Sequence, residues 1–205
     1  MSALELPLSD MKHYTPRLSQ IVTSPDVLKR LDEPVQLSSG EWSDVFIDGK
    51  HAVDDADNLD FVGSAMFAAV CEAGVEFEAV GGLELGAVPF AFAVQRIARC
   101  KWFLVRKTPK GRGTNLWVEG ARIAEGMPVM LVDDVVTTGD SICKAYDRIQ
   151  KEGGRVVFAT TLVDRGEEAA EFFGNVGVPY VPMLTYRDLD IEPVRRGNRA
   201  TATAS

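Results

Sequence analysis

At 205 residues, 46% of them hydrophobic and 25% charged, the chain has the makings of one globular domain with a sizeable core. Its 22 basic and 30 acidic residues leave a net charge of −8, which argues against nucleic acid as a bulk partner. No apolar run approaches the ~20 residues that span a bilayer, and Met1-Ser-Ala-Leu-Glu-Leu6 lacks the basic start of a secretory signal, so neither membrane nor export is expected.

In chain order, residues 1–36 read as loosely helical, with Ser24-Pro-Asp26 opening a short amphipathic helix through Leu28 and Leu31. A strand pair is expected next: Val35 to Leu37, a turn at Ser38-Ser-Gly40, then Val45 to Asp48. Asp60 is placed to cap a helix whose apolar face includes Val62, Met66, Ala69 and Val70. Phe77 to Val80 predicts a strand, Val88 to Ala98 a helix and Trp102 to Val105 a second strand. The polar, glycine-containing stretch from Lys107 to Asn115 reads as a mobile loop. Beyond the strand at Val129 come a helix over 142–151, a strand from Val156 to Val163, a helix from Glu167 to Phe173 and a last strand from Tyr180 to Leu184. Strands alternating with helices predict an α/β domain, a parallel sheet covered on both faces, whose ligands bind beyond the strands' C-terminal ends. Residues 195–205 carry no apolar pattern and are expected to be a disordered tail. No linker divides the chain, so residues 1–205 are taken as one domain with an N-terminal region over 1–50 and a core over 51–194.

Cys71, Cys100 and Cys143 show no paired spacing and read as buried thiols of a reducing compartment, with the cytoplasm as the expected address. His13 and His51 are too few for a histidine-rich metal site. Seven lysines and arginines fall between Arg96 and Arg112 in an otherwise acidic chain. Such a patch suits a small polyanion gathered by local field, although a solvated basic face is the plainer reading.

The most informative segment is Val129-Met-Leu-Val-Asp-Asp-Val-Val-Thr-Thr-Gly-Asp-Ser141. An apolar strand runs into two adjacent acids, then a hydroxyl-rich turn, then a helix. Backbone N–H groups and the positive helix end at such a turn can wrap a phosphate. Asp133 and Asp134 are placed to take the hydroxyls of an attached sugar, although helix capping alone would also use these residue types. The whole 13-residue pattern resembles the phosphoribosyl pyrophosphate (PRPP) signature of the type I phosphoribosyltransferases. The resemblance implies that family's fold, with a small N-terminal hood, and PRPP contacts from Asp133, Asp134, Val135, Val136, Thr137, Thr138, Gly139, Asp140 and Ser141.

Val105-Arg-Lys-Thr-Pro-Lys-Gly-Arg-Gly-Thr114, followed by Val118-Glu-Gly120, is similar to the catalytic loop of the orotate phosphoribosyltransferases. In that family the loop closes over the neighbouring subunit of a homodimer. Arg106, Lys107, Lys110 and Arg112 would then face the pyrophosphate, Lys107 foremost, because fixed cations stabilise the charge gathering on a leaving diphosphate. Arg112 stands where most relatives have histidine; it keeps the charge but cannot release a proton at working pH. Val80-Gly-Gly-Leu-Glu-Leu-Gly-Ala-Val-Pro89 is similar to the family's pyrophosphate loop, implying contacts around Glu84, Leu85 and Gly86, chiefly from backbone.

Leu37 to Ser43 and Val45 to Asp48 look like the element that covers the pyrimidine in the orotate enzymes. Phe46 would stack on the base, and Ser38 replaces a common lysine. Arg165, in Val163-Asp-Arg-Gly166, would clamp the orotate carboxylate, and Thr137 would hydrogen-bond the base. Read without the family, Phe46 is a core residue and Arg165 a surface partner of Glu167 or Glu168. The resemblance implies transfer of the phosphoribosyl group from PRPP to orotate, with Lys107, Asp133 and Asp134 as catalytic groups. It also implies Mg²⁺, held indirectly near Asp133 and Asp134 through PRPP hydroxyls and water. A type I transferase for a purine base and a PRPP-binding regulator are the alternatives.

Overall fold

The computed structural model describes residues 11–110 and 116–197. Helix α1 (Thr15–Val22) turns Leu18, Ile21 and Val22 inward. Strands β1 (Leu28–Gln36) and β2 (Trp42–Ile47) form an antiparallel hairpin, the hood, with a register shift between Arg30 and Val35, next to Pro34. Then follow α2 (Ala56–Glu72), β3 (Ala79–Leu83), α3 (Ala87–Ala98), β4 (Lys101–Val105), β5 (Val118–Gly120), β6 (Pro128–Val136), α4 (Asp140–Lys151), β7 (Arg155–Asp164), α5 (Glu168–Asn175) and β8 (Tyr180–Thr185). The six-stranded sheet runs in the order β5-β4-β3-β6-β7-β8 and is parallel except for β5, which pairs antiparallel with β4.

The pleat of β6 explains how the core divides. Met130 and Val132 join one apolar cluster with α1, α2 and α3, whereas Val129 and Leu131 join a second with α4 and α5. Successive strand residues point to opposite faces, so a strand covered on both sides must be apolar at nearly every position. Helix α4 shows the complementary pattern: Ile142, Ala145 and Ile149 are buried at helical spacing and the charged residues face outward. Between β3 and β6 the winding reverses, because the chain leaves β3 for β4 on one side and β6 for β7 on the other. A crevice opens at such a switch point, above the strands' C-terminal ends.

Several sequence expectations are corrected. Ser24 accepts from the N–H groups of Val27 and Leu28 for only one turn, and the segment expected to be helical through Leu31 is instead β1. Pairing with β2 supplies inter-strand hydrogen bonds that an isolated short helix could not match. Asp55, not Asp60, caps α2, accepting from Asn58 N at 2.9 Å. The short β5 has no expected counterpart. All three cysteines are free, but Cys71 is exposed, while burial raises the Cys143 thiol to about 11. No helix among the described residues is long and apolar enough to cross a membrane.

Two glycines let β3 sit this closely against its neighbours. A Cβ on Gly81 would lie 2.1 Å from the Phe103 carbonyl oxygen, and one on Gly82 would lie 2.1 Å from that of Val132. These are backbone atoms of β4 and β6 and cannot rotate away. Gly81→Ala is therefore expected to destabilise the fold by about 2–3 kcal/mol, a melting-temperature drop on the order of 5–10 °C by calorimetry. An unchanged melting temperature would show that the sheet tolerates the added methyl.

Candidate active site

A cavity of about 630 Å³ occupies the switch-point crevice. Its floor is Leu83, Val105 and Asp133, from the ends of β3, β4 and β6. The turn Thr137 to Ser141 forms one wall, Arg106 and Lys107 the facing wall, and Ser38 and Ser39 of the hood turn reach its rim. Residues more than ninety positions apart thus surround one space.

The phosphate turn owes its shape to Gly139, whose φ of 76° is left-handed and leads into α4. The first N–H groups of a helix have no intrahelical partners, so they and the helix dipole favour an anion there. Thr138 is buried, and its Oγ1 finds no hydrogen-bond partner among the described residues. An orphaned buried hydroxyl is costly unless a ligand satisfies it.

The acid pair is split by the strand pleat. Asp133 lines the cavity and is almost fully buried, and its Oδ1 accepts from Asp134 N at 3.0 Å. Burial, reinforced by the adjacent Asp134 carboxylate, holds Asp133 well above the usual carboxylate range; Lys107 acts in the opposite sense. Asp134 does not line the cavity. It projects to the α3 face, where a Cβ on Gly86 would lie 2.3 Å from its Oδ1 and one on Gly49 2.7 Å from its Cβ. Lys50 Nζ stands 3.8 Å from Asp134 Oδ2. Of the two acids expected to take the sugar hydroxyls, Asp133 alone lines the cavity.

The segment from Arg106 is anchored at its base. Arg106 pairs with Glu119 of β5 at 2.7 Å, and Lys107 N donates to Glu84 Oε1 at 2.8 Å. Glu84 thereby joins the turn after β3 to the start of the basic loop, a side-chain function the sequence did not suggest. Leu85 is exposed, and Lys110 N donates to Leu116 O at 3.1 Å without lining the cavity. Arg112 lies outside the described residues.

Arg165 departs from its expected surroundings. It is 2% exposed and does not line the cavity. Its Nη1 donates to Val45 O at 2.8 Å and its Nη2 to Ser43 Oγ at 2.9 Å. A buried tie to the hood stands in place of the surface ion pair. Burial lowers its guanidinium to about 10, with Asp44 opposing the shift. Phe46 is 38% exposed, on the face of β2 opposite the buried Val45 and Ile47, and does not line the cavity either. Sequence reasoning missed Trp117, Lys144 and Arg148, which extend the cavity along α4; Arg148 stacks over the Trp117 ring at 4.7 Å. The helical spacing of Lys144, Arg148 and Lys151 is the signal that marks them.

Comparison with known proteins agrees with this geometry. The phosphoribosyl transferase domain model matches residues 61–172. The orotate phosphoribosyltransferase of Thermococcus gammatolerans is 37% identical over 153 residues, covering 75% of this chain and 80% of that one. That of Sorangium cellulosum is 42% identical over 160 residues, covering 75% and 83%. Among solved structures, the Mycobacterium tuberculosis orotate phosphoribosyltransferase in complex with PRPP superposes with a TM-score of 0.66 at 30% identity, over 87% of this chain and 99% of that one. The fold and the site therefore define a type I phosphoribosyltransferase. Within that class, the chain belongs to the orotate phosphoribosyltransferase family.

Behind the phosphate turn, Asp164 is buried and accepts from Tyr180 Oη at 2.9 Å and Gly166 N at 3.0 Å. Burial nevertheless pushes its carboxyl up from 3.8 to about 6. A raised folded-state value means that this group's contribution is full below the unfolded value and lost as pH rises through the folded one. The difference corresponds to about 3 kcal/mol. Asn cannot ionise, so urea denaturation of Asp164→Asn should show its stability deficit against the parent shrinking by about that amount between roughly pH 4 and pH 7. A deficit independent of pH would mean that Asp164 titrates normally.

Proposed function

We propose that the protein transfers the 5-phosphoribosyl group of PRPP to orotate, forming orotidine 5′-monophosphate and pyrophosphate for pyrimidine synthesis. The observation that carries this reading is the convergence of Asp133, the Thr137–Ser141 turn and Lys107 on one cavity at the switch point. The turn binds the 5′-phosphate through backbone N–H groups and the unpartnered Thr138 hydroxyl. That remote binding energy fixes the anomeric carbon for attack. Asp133 takes a ribose hydroxyl, and its ionised form, which Lys107 favours against the effect of burial, supports positive charge developing on the sugar ring. Asp134 acts from the α3 face, beside the turn at Gly86, which supports a role next to the diphosphate. The orotate ring nitrogen attacks as pyrophosphate departs, and Arg106 and Lys107 receive the negative charge gathering on the leaving group. Val135, Val136 and Thr137 line the same cavity, with Ser38 and Ser39 at its rim, which supports contacts from them to the sugar and base.

Mg²⁺ accompanies this chemistry. Among the described residues no group of three or more His, Cys, Asp or Glu side chains is arranged to hold an ion by itself, which fits a cation held mainly by substrate oxygens and water near Asp133 and Asp134. Bound there, it would neutralise the diphosphate charge. A homodimer in which Lys110 and Arg112 complete the neighbouring site extends the reading. The partly exposed Phe92–Trp102 pair, its rings tilted with centroids 4.9 Å apart, supports a contact surface on the α3–β4 side. The three free thiols accord with a cytoplasmic setting.

Absorbance should show Mg²⁺-dependent loss of orotate with PRPP and formation of orotidine monophosphate. Turnover with a purine base instead would transfer the reading to that class of acceptor. Lys107→Ala should lower kcat by about 10²–10³ while the melting temperature stays within about 1 °C, because Lys107 is an exposed residue at the cavity wall. Near-normal turnover in that variant would remove Lys107 from the mechanism.

A further inference from the structure

We propose that Arg196 is a positioning residue of the 5′-phosphate site, neutralising the Asp140 carboxylate so that the turn can receive a phosphate dianion. The inference rests on the functional reading above. Asp140 lines the cavity within the turn that takes the phosphate. An ionised carboxylate at the start of α4 suits the helix dipole, but it opposes any anion bound by the same N–H groups. Arg196 resolves this conflict. Its Nη2 pairs with Asp140 Oδ1 and lies 3.4 Å from the Thr138 carbonyl oxygen of the same turn.

The backbone around Arg196 is held by three other parts of the molecule. Val194 is buried, and its N–H donates to Arg165 O at 2.7 Å. Arg196 N donates to Glu168 Oε1 at 3.4 Å, and Gly197 N to Glu41 Oε1 at 3.0 Å. Residues 194–197 therefore run as a strap from the end of β7, past the phosphate turn, to the hood. The tail expected from Arg195 onward is anchored over its first three residues. Both members of the pair are largely exposed, at 63% for Arg196 and 43% for Asp140. Such pairs add little to stability; the effect of this one is on the charge that a phosphate meets at the turn.

Steady-state kinetics of a double-mutant cycle tests the assignment. Arg196→Ala should raise the KM for PRPP by about tenfold while kcat and the KM for orotate stay within about twofold. Arg196→Lys should recover most of the loss. The same Arg196→Ala change made in an Asp140→Asn background should cost less than about twofold, because the carboxylate it answers is gone. An unchanged KM for PRPP, or an equal rise in both backgrounds, would overturn the assignment. The rise in melting temperature on adding PRPP gives a readout that needs no acceptor base, and it should be smaller in Arg196→Ala than in the parent. If the parent is stabilised by PRPP but does not consume orotate, the choice of acceptor fails and this comparison still decides the role of Arg196. A parent that PRPP does not stabilise would overturn both.

Discussion

The structure depends on burying β6 along both faces up to the point where its carboxylates begin. Val129 to Val132 have no exposure, so the strand is clamped between the α1–α3 and α4–α5 layers. The pleat then sends Asp133 and Asp134 to opposite sides. One acid enters the cavity with β3, β4 and the basic loop; the other meets the glycine turn before α3. A two-residue acidic motif thus faces two different parts of the molecule. Holding a carboxyl in such a buried setting is costly.

Close backbone approach is the second constraint. Gly49 and Gly86 bring the hood connection and the α3 turn against Asp134, and any side chain at either position would displace the carboxylate. Gly81 and Gly82 do the same within the sheet. These four glycines serve proximity, whereas Gly139 of the phosphate turn is needed for its dihedral angle.

The hood is attached to the site from beneath. Arg165 extends from the end of β7 and holds β2 through Val45 and Ser43, while Glu41 meets Gly197 on the far side of the hood turn. A guanidinium suits this task because it offers several donors in a rigid plane. The phosphate turn, the end of β7 and the hood are consequently joined by short polar contacts.

Periodicity and motif order in the sequence determined the alternating α/β plan, the parallel sheet and the phosphate turn. They did so because strand burial, helix amphipathy and left-handed turns each leave local signatures. The segment Val129–Ser141 carried the type I class, and the stretch Val105–Thr114 carried the resemblance to the orotate enzymes, with Asp133 and Lys107 marked by those two motifs. Local pattern misled at Ser24–Leu31, where a plausible helix start gave way to pairing with a strand more than ten residues on. Tertiary structure alone decided that Arg165 ties down the hood, that Glu84 holds the Lys107 backbone, and that Arg196 returns to Asp140 across more than fifty residues. Each is a long-range polar contact between single side chains, and such contacts leave no periodicity for a sequence to display. The side of β6 from which each acid acts belongs with them, because only the packed layers determine what lies opposite each face of the strand.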